Sequence, residues 1–359
     1  MKINYSFFLC FFLLTLSGCA APQPKMRVLW PPPPDEPRLE FLGSYASEDD
    51  FPKTASQRSA ESFLGKPDVA PFMMPIDAVL DSKGRVYVSD LYLGNIRVYD
   101  FEAKTNHLLT ENVNVLSQPL GLAIDSRDRL YVADGAAGKI VVFGPDHQVI
   151  QVIRHADVVK PAYLFVDDSK DRLYVSDGKD SKVAIFDLSG KLLKTFGQDQ
   201  IYSPQGIAVS SDGRIFVAES LLARISVFSP EGVLLEQFGE RGDSIAQFEH
   251  PKDLAFGSDD MLYVLDARRP GLFLFDKNLQ ALLVMSTSRG SGLPLALDSP
   301  SGLFVSAAGR ILIVDRLKRR FSVWQFLTPQ YLAEHPVTQE ELKLIQAAMH
   351  AAPSTQDGK

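Results

Sequence analysis

Short apolar runs separated by polar turns dominate residues 70–327. One stretch shows the rhythm: "PLGLAID" (119–125), the turn "SRDR", "LYVAD" (130–134), the turn "GAAG", "KIVVFGP" (139–145), then a more variable "QVIQVI" (148–153). Val, Ile, Tyr and Phe prevail and no helix-length periodicity intervenes, so each run predicts a β-strand. The runs are nearly continuous rather than alternating. Both faces of each strand should therefore be buried, as when sheets stack on one another.

The rhythm repeats. Copies aligned on Pro75, Pro119, Pro161, Pro204, Pro251 and Pro300 are spaced by 44, 42, 43, 47 and 49 residues. Aligned on the acid that ends the second strand (Asp90, Asp134, Asp177, Glu219, Asp266, Asp315), the spacings are 44, 43, 42, 47 and 49. Two landmarks in step define a unit of about 45 residues, the size of a four-stranded propeller blade. The proline, a small residue, an "IAVD"-like strand, a turn, "LYVAD" and an "RIxVF"-like strand resemble the NHL repeat, over about residues 70–327. That resemblance implies an all-β, six-bladed propeller. The sixth copy supplies only three strands, ending in "FSVWQFL" (321–327), while "RLEFLGSY" (38–45) stands alone after a proline run. We expect that N-terminal strand to complete blade six and close the ring, removing an open sheet edge. The propeller domain is thus expected over 38–327, with residues 46–70, rich in Ser, Asp, Lys and Pro, irregular.

The ends differ in character. Residues 1–18 combine Lys2 with the ten-residue apolar run "FFLCFFLLTL" (7–16), too short to span a bilayer and suited to a secretory signal. They lead into "LSGC", which resembles the lipobox of bacterial lipoproteins and implies a covalent lipid on Cys19. Processing would then remove Cys10 and lipidation would use Cys19. The exported domain would carry no thiol for a disulfide, a metal or catalysis. Ala20 after the Cys implies, by the same resemblance, an outer-membrane lipoprotein of the cell envelope. Residues 19–37 are expected to be a tether, with four prolines (31–34) favouring an extended polyproline II spacer. Trp30 either sits at the headgroups or packs on the domain. In the tail, 328–359, a short helix is expected over 337–350, with Thr338 as N-cap, Glu341 completing a capping box and Val337 meeting Leu342. It either packs on the propeller or docks a partner.

Charge narrows the partners. The net charge of −7 offers no global field for nucleic acid. The repeated acid at the end of each second strand reads as a turn-holder, since a catalytic acid is not needed six times. Departures from the repeat are more informative. Two positions after the aligned proline stand Asp77, Gly121, Tyr163, Gly206, Asp253 and Gly302. The glycines let backbones converge near the axis. Asp77, Tyr163 and Asp253 then either line the channel mouth as a polar-ligand or cation site, with His250 beside them, or hydrogen-bond neighbouring blades. Propeller lyases and lactonases use channel metals, so a metal-dependent hydrolase or lyase is the alternative function, with no catalytic residue assigned. Arg268 and Arg269 with Arg316, Lys318, Arg319 and Arg320 form either a basic patch on adjacent blades or a solvated rim. "RGD" (241–243) falls in a long inter-blade linker and reads as chance. The leading expectation is a lipid-anchored binding or scaffold protein. Its face would meet other envelope proteins or an anionic polymer; beyond the lipid no cofactor is expected, save a possible channel cation.

Overall fold

The computed structural model describes residues 27–51, 53, 55–64, 71–109, 115–286 and 296–351. The signal segment, Cys10 and Cys19 lie outside them. Five four-stranded antiparallel sheets and one five-stranded sheet form six blades. Blade one spans 75–108, blade two 119–153, blade three 161–196, blade four 204–238, blade five 251–286 and blade six 300–326. The first strand of every blade touches the first strands on either side, and Pro75–Leu80 meets Pro300–Val305. The ring is closed and six-membered.

Blade six closes as its sequence implies, with one addition. The N-terminal strand Leu39–Tyr45 (β2) pairs antiparallel with Arg320–Phe326, Leu39 opposite Phe326 and Tyr45 opposite Phe321. Tyr45 stacks on Phe321 with ring centroids 5.2 Å apart and meets Phe101 of blade one edge-on at 4.9 Å. The closing strand thereby seals the joint between the last blade and the first. Outside it lies a further strand, Val28–Trp30 (β1), paired with β2 so that Trp30 faces Leu39.

The proline run is therefore not an extended spacer. Residues 31–38 connect the two strands of a hairpin, and Arg38 N–H closes it onto Trp30 O at 2.7 Å. Trp30 packs against the core of blades five and six, its indole N–H reaching Val284 O at 3.3 Å. Burial of Leu29 and Trp30 on the blade outweighs the preference of prolines for a free extended chain, because those prolines need only form the bend.

Two other segments are more regular than expected. Glu48–Asp50 is a 3₁₀ turn capped by Ser47, whose Oγ accepts from Asp49 N–H. Ala55–Leu64 is a helix (α1), its Ala, Gln, Arg and Glu outweighing the serines that make the segment resemble a loop. The tail holds two helices, Pro329–Glu334 (α2) and Gln339–Ala351 (α3). Thr338 Oγ1 accepts from Glu341 N–H at 3.1 Å, the N-cap bond expected. Ile345 is buried against Leu29 and Leu327, with Val337 and Leu342 alongside. The inner face of α3 is therefore a packing face.

Candidate functional site

Each first strand begins at its proline opposite the acid that ends the second strand, as in Pro119 opposite Asp134. The entry loops and the second-to-third turns consequently share one face, the proline face. The first-to-second and third-to-fourth turns share the other, the far face.

The repeated acids fasten the proline face. Asp134 Oδ2 accepts from Ser117 N–H at 2.8 Å, and Oδ1 accepts from Gln118 N–H at 3.0 Å and Ala137 N–H at 3.3 Å. One carboxylate thus ties the loop entering a blade to the turn leaving its second strand. Asp90, Asp177, Asp266 and Asp315 repeat this arrangement. Glu219 varies it: Tyr202 N–H donates to its carboxylate, as do Arg224 and Ser226. All six acids are buried. Their job is structural, once per blade.

Just below this face lies a layer built from the second residue after each proline. It has a threefold rhythm. A Cβ on Gly302 would come within 2.5 Å of Asp77 Cα, one on Gly121 within 2.6 Å of Tyr163 Cα, and one on Gly206 within 2.6 Å of Asp253 Cα. Glycine on alternate blades is what lets the larger residue of the next blade reach the axis. Asp77 Oδ2 accepts from Leu122 N–H of blade two, and Asp253 Oδ2 from Leu303 N–H of blade six, each at 2.8 Å. Oδ1 of each also accepts from the N–H of its own neighbour, Ala78 or Leu254. Tyr163 breaks the rhythm. Its hydroxyl crosses the axis and donates to Ser301 O of the diametrically opposite blade at 2.7 Å.

These three predicted residues are therefore brought together, and each also bonds a neighbouring or facing blade. They cap a cavity of about 120 Å³ whose walls include Val79, Ile124, Val166, Phe256 and Phe304. Burial raises the Asp77 carboxyl to about 7. Burial first, and the nearby Asp77 second, hold Asp253 well above the ordinary carboxylate range. Tyr163 is pushed up by burial and by both carboxylates.

Two groups that the sequence reading passed over complete the layer. Lys252 Nζ donates to Gln205 Oε1 at 2.5 Å and lies 5.8 Å from the Tyr163 ring centroid. Burial, then Arg316, lower its pKa to about 8. A signal was present: the position directly after the aligned proline is Ile76, Leu120 and Ala162 in the first three blades but Gln205, Lys252 and Ser301 in the last three.

His250 does not join Asp77 and Asp253. It lines a separate groove of about 450 Å³ between blades five and six, with Ala267, Arg268, Asp298, Ser299, Arg316 and Leu317. Its backbone is held by Asp266, and burial followed by Lys252 and Arg268 lowers its pKa. Only part of the expected basic patch is presented to solvent: Arg268, Arg316 and Arg319 are exposed. Arg269 turns inward, donating to Ser244 O at 2.6 Å and Gln247 O at 3.0 Å and lying over the Phe273 ring. Lys318 lies 4.0 Å from Asp298, and Arg320 donates to Ala296 O at 3.0 Å. A channel metal does not fit this donor set. Among the described residues no three His, Cys, Asp or Glu side chains stand close enough to hold one, and two carboxylates already occupied by backbone N–H groups are a poor cage.

No known family model and no curated protein sequence matches the chain. Among solved structures it is similar to a gluconolactonase from Xanthomonas campestris, with TM-score 0.58 and 16% identity over 80% of this chain and 98% of that one. It is similar also to virginiamycin B lyase from Staphylococcus aureus, with TM-score 0.54 and 13% identity over 71% and 96% of the two chains. A chain of a nidogen–laminin complex gives TM-score 0.51 and 18% identity over 60% of this chain and 82% of that one. The fold is a six-bladed β-propeller shared by lyases, lactonases and binding proteins; at these identities the likeness is one of architecture.

Proposed function

We propose that this protein is a lipid-anchored envelope protein of the NHL-propeller type that binds another protein through its proline face. The observation that carries the reading is the distribution of exposed apolar side chains among the blade loops. Tyr92, Val159, Tyr202, Leu221, Leu222, Ile245 and Leu317 all lie on the proline face, with Tyr92 71%, Leu221 62% and Leu317 67% exposed. Among the described residues Val233 is the one exposed large apolar side chain in a far-face turn; Ile150, Leu193, Leu235 and Leu282 lie beside that face but on the outer fourth strands rather than in its turns. Large apolar groups gathered on one face and left in water mark an interaction surface. The channel favours the same reading, because its carboxylates and phenol are engaged in joining blades. Among the described residues the alternative, a metal-dependent hydrolase or lyase, finds no group of three metal-ligating side chains there.

Photo-crosslinking from the proline face in native membranes tests this. Probes at Tyr92 and Leu221 should capture a common protein, whereas a probe at Ser82 on the far face should not; equal capture from both faces would overturn the reading. Cys19→Ser tests the anchor separately, and the protein should then leave the membrane fraction.

A further inference from the structure

The groove between blades five and six is a concave part of the proline face that carries two arginines. Its volume, about 450 Å³, falls within the usual range of ligand pockets, ~300–1,000 Å³. Arg268 and Arg316 enter it from the second-to-third turns of adjacent blades, and His250 enters from the loop leading into blade five. Among the described residues Asp298, which faces Lys318, is the one carboxylate in the lining. Among the described residues the Arg316 guanidinium makes one side-chain hydrogen bond, a long one of 3.4 Å to Ser299 Oγ. Most of its planar donor fork is left for something else, and a fork of this shape matches a carboxylate in two-point contact. Leu317, between Arg316 and Lys318, stands at the rim.

We infer that this groove reads a carboxylate side chain on an acidic, partly apolar segment of a partner protein, with Arg316 and Arg268 as the paired cations and Leu317 as the apolar contact beside them. The inference rests on the proposed use of the proline face and adds the chemistry of what docks there. Charge complementarity selects an acidic group. The exposed Leu317 in the lining selects a polypeptide over a polyanion, since a polysaccharide or polyphosphate has no apolar side chain with which to cover it. His250 adds a pH dependence. It is faced by Lys252, Arg268, Arg241 and Asp266, and the cations with burial keep its imidazole neutral near pH 7. A docked carboxylate raises its pKa, so binding takes up a proton and strengthens as the solution is acidified.

The test uses the full-length protein, purified from membranes in detergent, and a fluorescein-labelled peptide of alternating Leu and Glu read by anisotropy. Binding should weaken about tenfold or more in Arg268→Glu/Arg316→Glu and measurably in the milder Arg316→Gln. It should be unchanged in Lys83→Glu/Arg127→Glu on the far face, and His250→Ala should remove the gain on acidification. Equal binding of a Leu–Gln peptide, indifference to the arginine substitutions, or tighter binding of polyphosphate than of the peptide would each overturn the inference. Crosslinking separates the two levels. A native partner lost with Tyr202→Glu/Leu221→Glu but retained with Arg268→Glu/Arg316→Glu would leave the proline-face reading standing and remove this one.

Discussion

The two faces of the disc are made from the same repeat, yet they hold their polar groups differently. On the far face, carboxylates and hydroxyls stitch one blade to the next in the open. Ser82 donates through N–H and Oγ to Asp128, Ser126 N–H to Asp168, and Ser211 through N–H and Oγ to Asp260. Arg85 and Arg129 pair with Asp81 and Asp125 of their own turns. Both faces fasten their turns from beneath with buried acids on backbone N–H groups, Asp81 and Asp125 on the far face as Asp90 and Asp134 on the proline face. The far-face turns are tied through their tips as well, whereas the proline-face tips present Tyr92, Leu221 and Leu317 to solvent. A turn fastened only from beneath leaves its tip free to vary, whereas a turn also fastened through its tip does not. The face best suited to recognition is therefore the one whose fastening stays hidden.

That contrast can be broken at several points. The largest effect should come from Asp134→Ala, which strips three backbone N–H groups of their buried carboxylate acceptor; a loss of about 2–3 kcal/mol in urea unfolding is expected. A loss below about 1 kcal/mol would show that the hidden scaffold is dispensable. Next, Tyr202→Glu/Leu221→Glu should lower partner capture about tenfold, some 1.4 kcal/mol, with Tm little changed. Val233→Glu on the far face should do neither.

Third comes the layer below the proline face. Asp77 and Asp253 both have raised pKa values in the folded protein, Asp77 to about 7, so between the unfolded value near 4 and about 7 the folded state holds more protons. Stability contributed by these groups is present at acidic pH and declines as pH rises through that window. Asp77→Asn should flatten the fall in Tm between about pH 5 and 8 by several degrees; an unchanged slope would remove the pair as its source. The smallest effect is expected of Ser82→Ala, about 0.5 kcal/mol or less, because water can replace the lost hydroxyl bond.

The ring itself was legible because two landmarks, proline and acid, kept the same interval through six copies, and each has a local physical reason to recur. The closing strand was legible because blade six lacked a partner that "RLEFLGSY" could supply. β1 was not: three residues beside a proline run carry no periodicity, and only the blade they bury against makes them a strand. The convergence of Asp77, Tyr163 and Asp253 followed from their shared place in the repeat. The placement of His250 did not, since being one residue before a proline fixes its height in the disc but not which way the imidazole turns. Arg269 and Arg320 read as surface charge, yet they are drawn inward to the carbonyls of Ser244, Gln247 and Ala296, contacts distant in sequence.

The hairpin that absorbs the four prolines also sets the length of the mooring. Under the proposed acylation only eight links separate Cys19 from Arg27, a reach of at most about 28 Å when fully stretched; an extended run to residue 37 would have allowed about 56 Å. Arg27 is itself cleated to Glu40 at 2.6 Å, so the pull of the anchor falls on the outer edge of blade six. With that anchor the disc would swivel about that edge without drifting from the bilayer, and blade three, across the axis, would sweep the widest arc, with Tyr202 and Leu221 on blade four beside it.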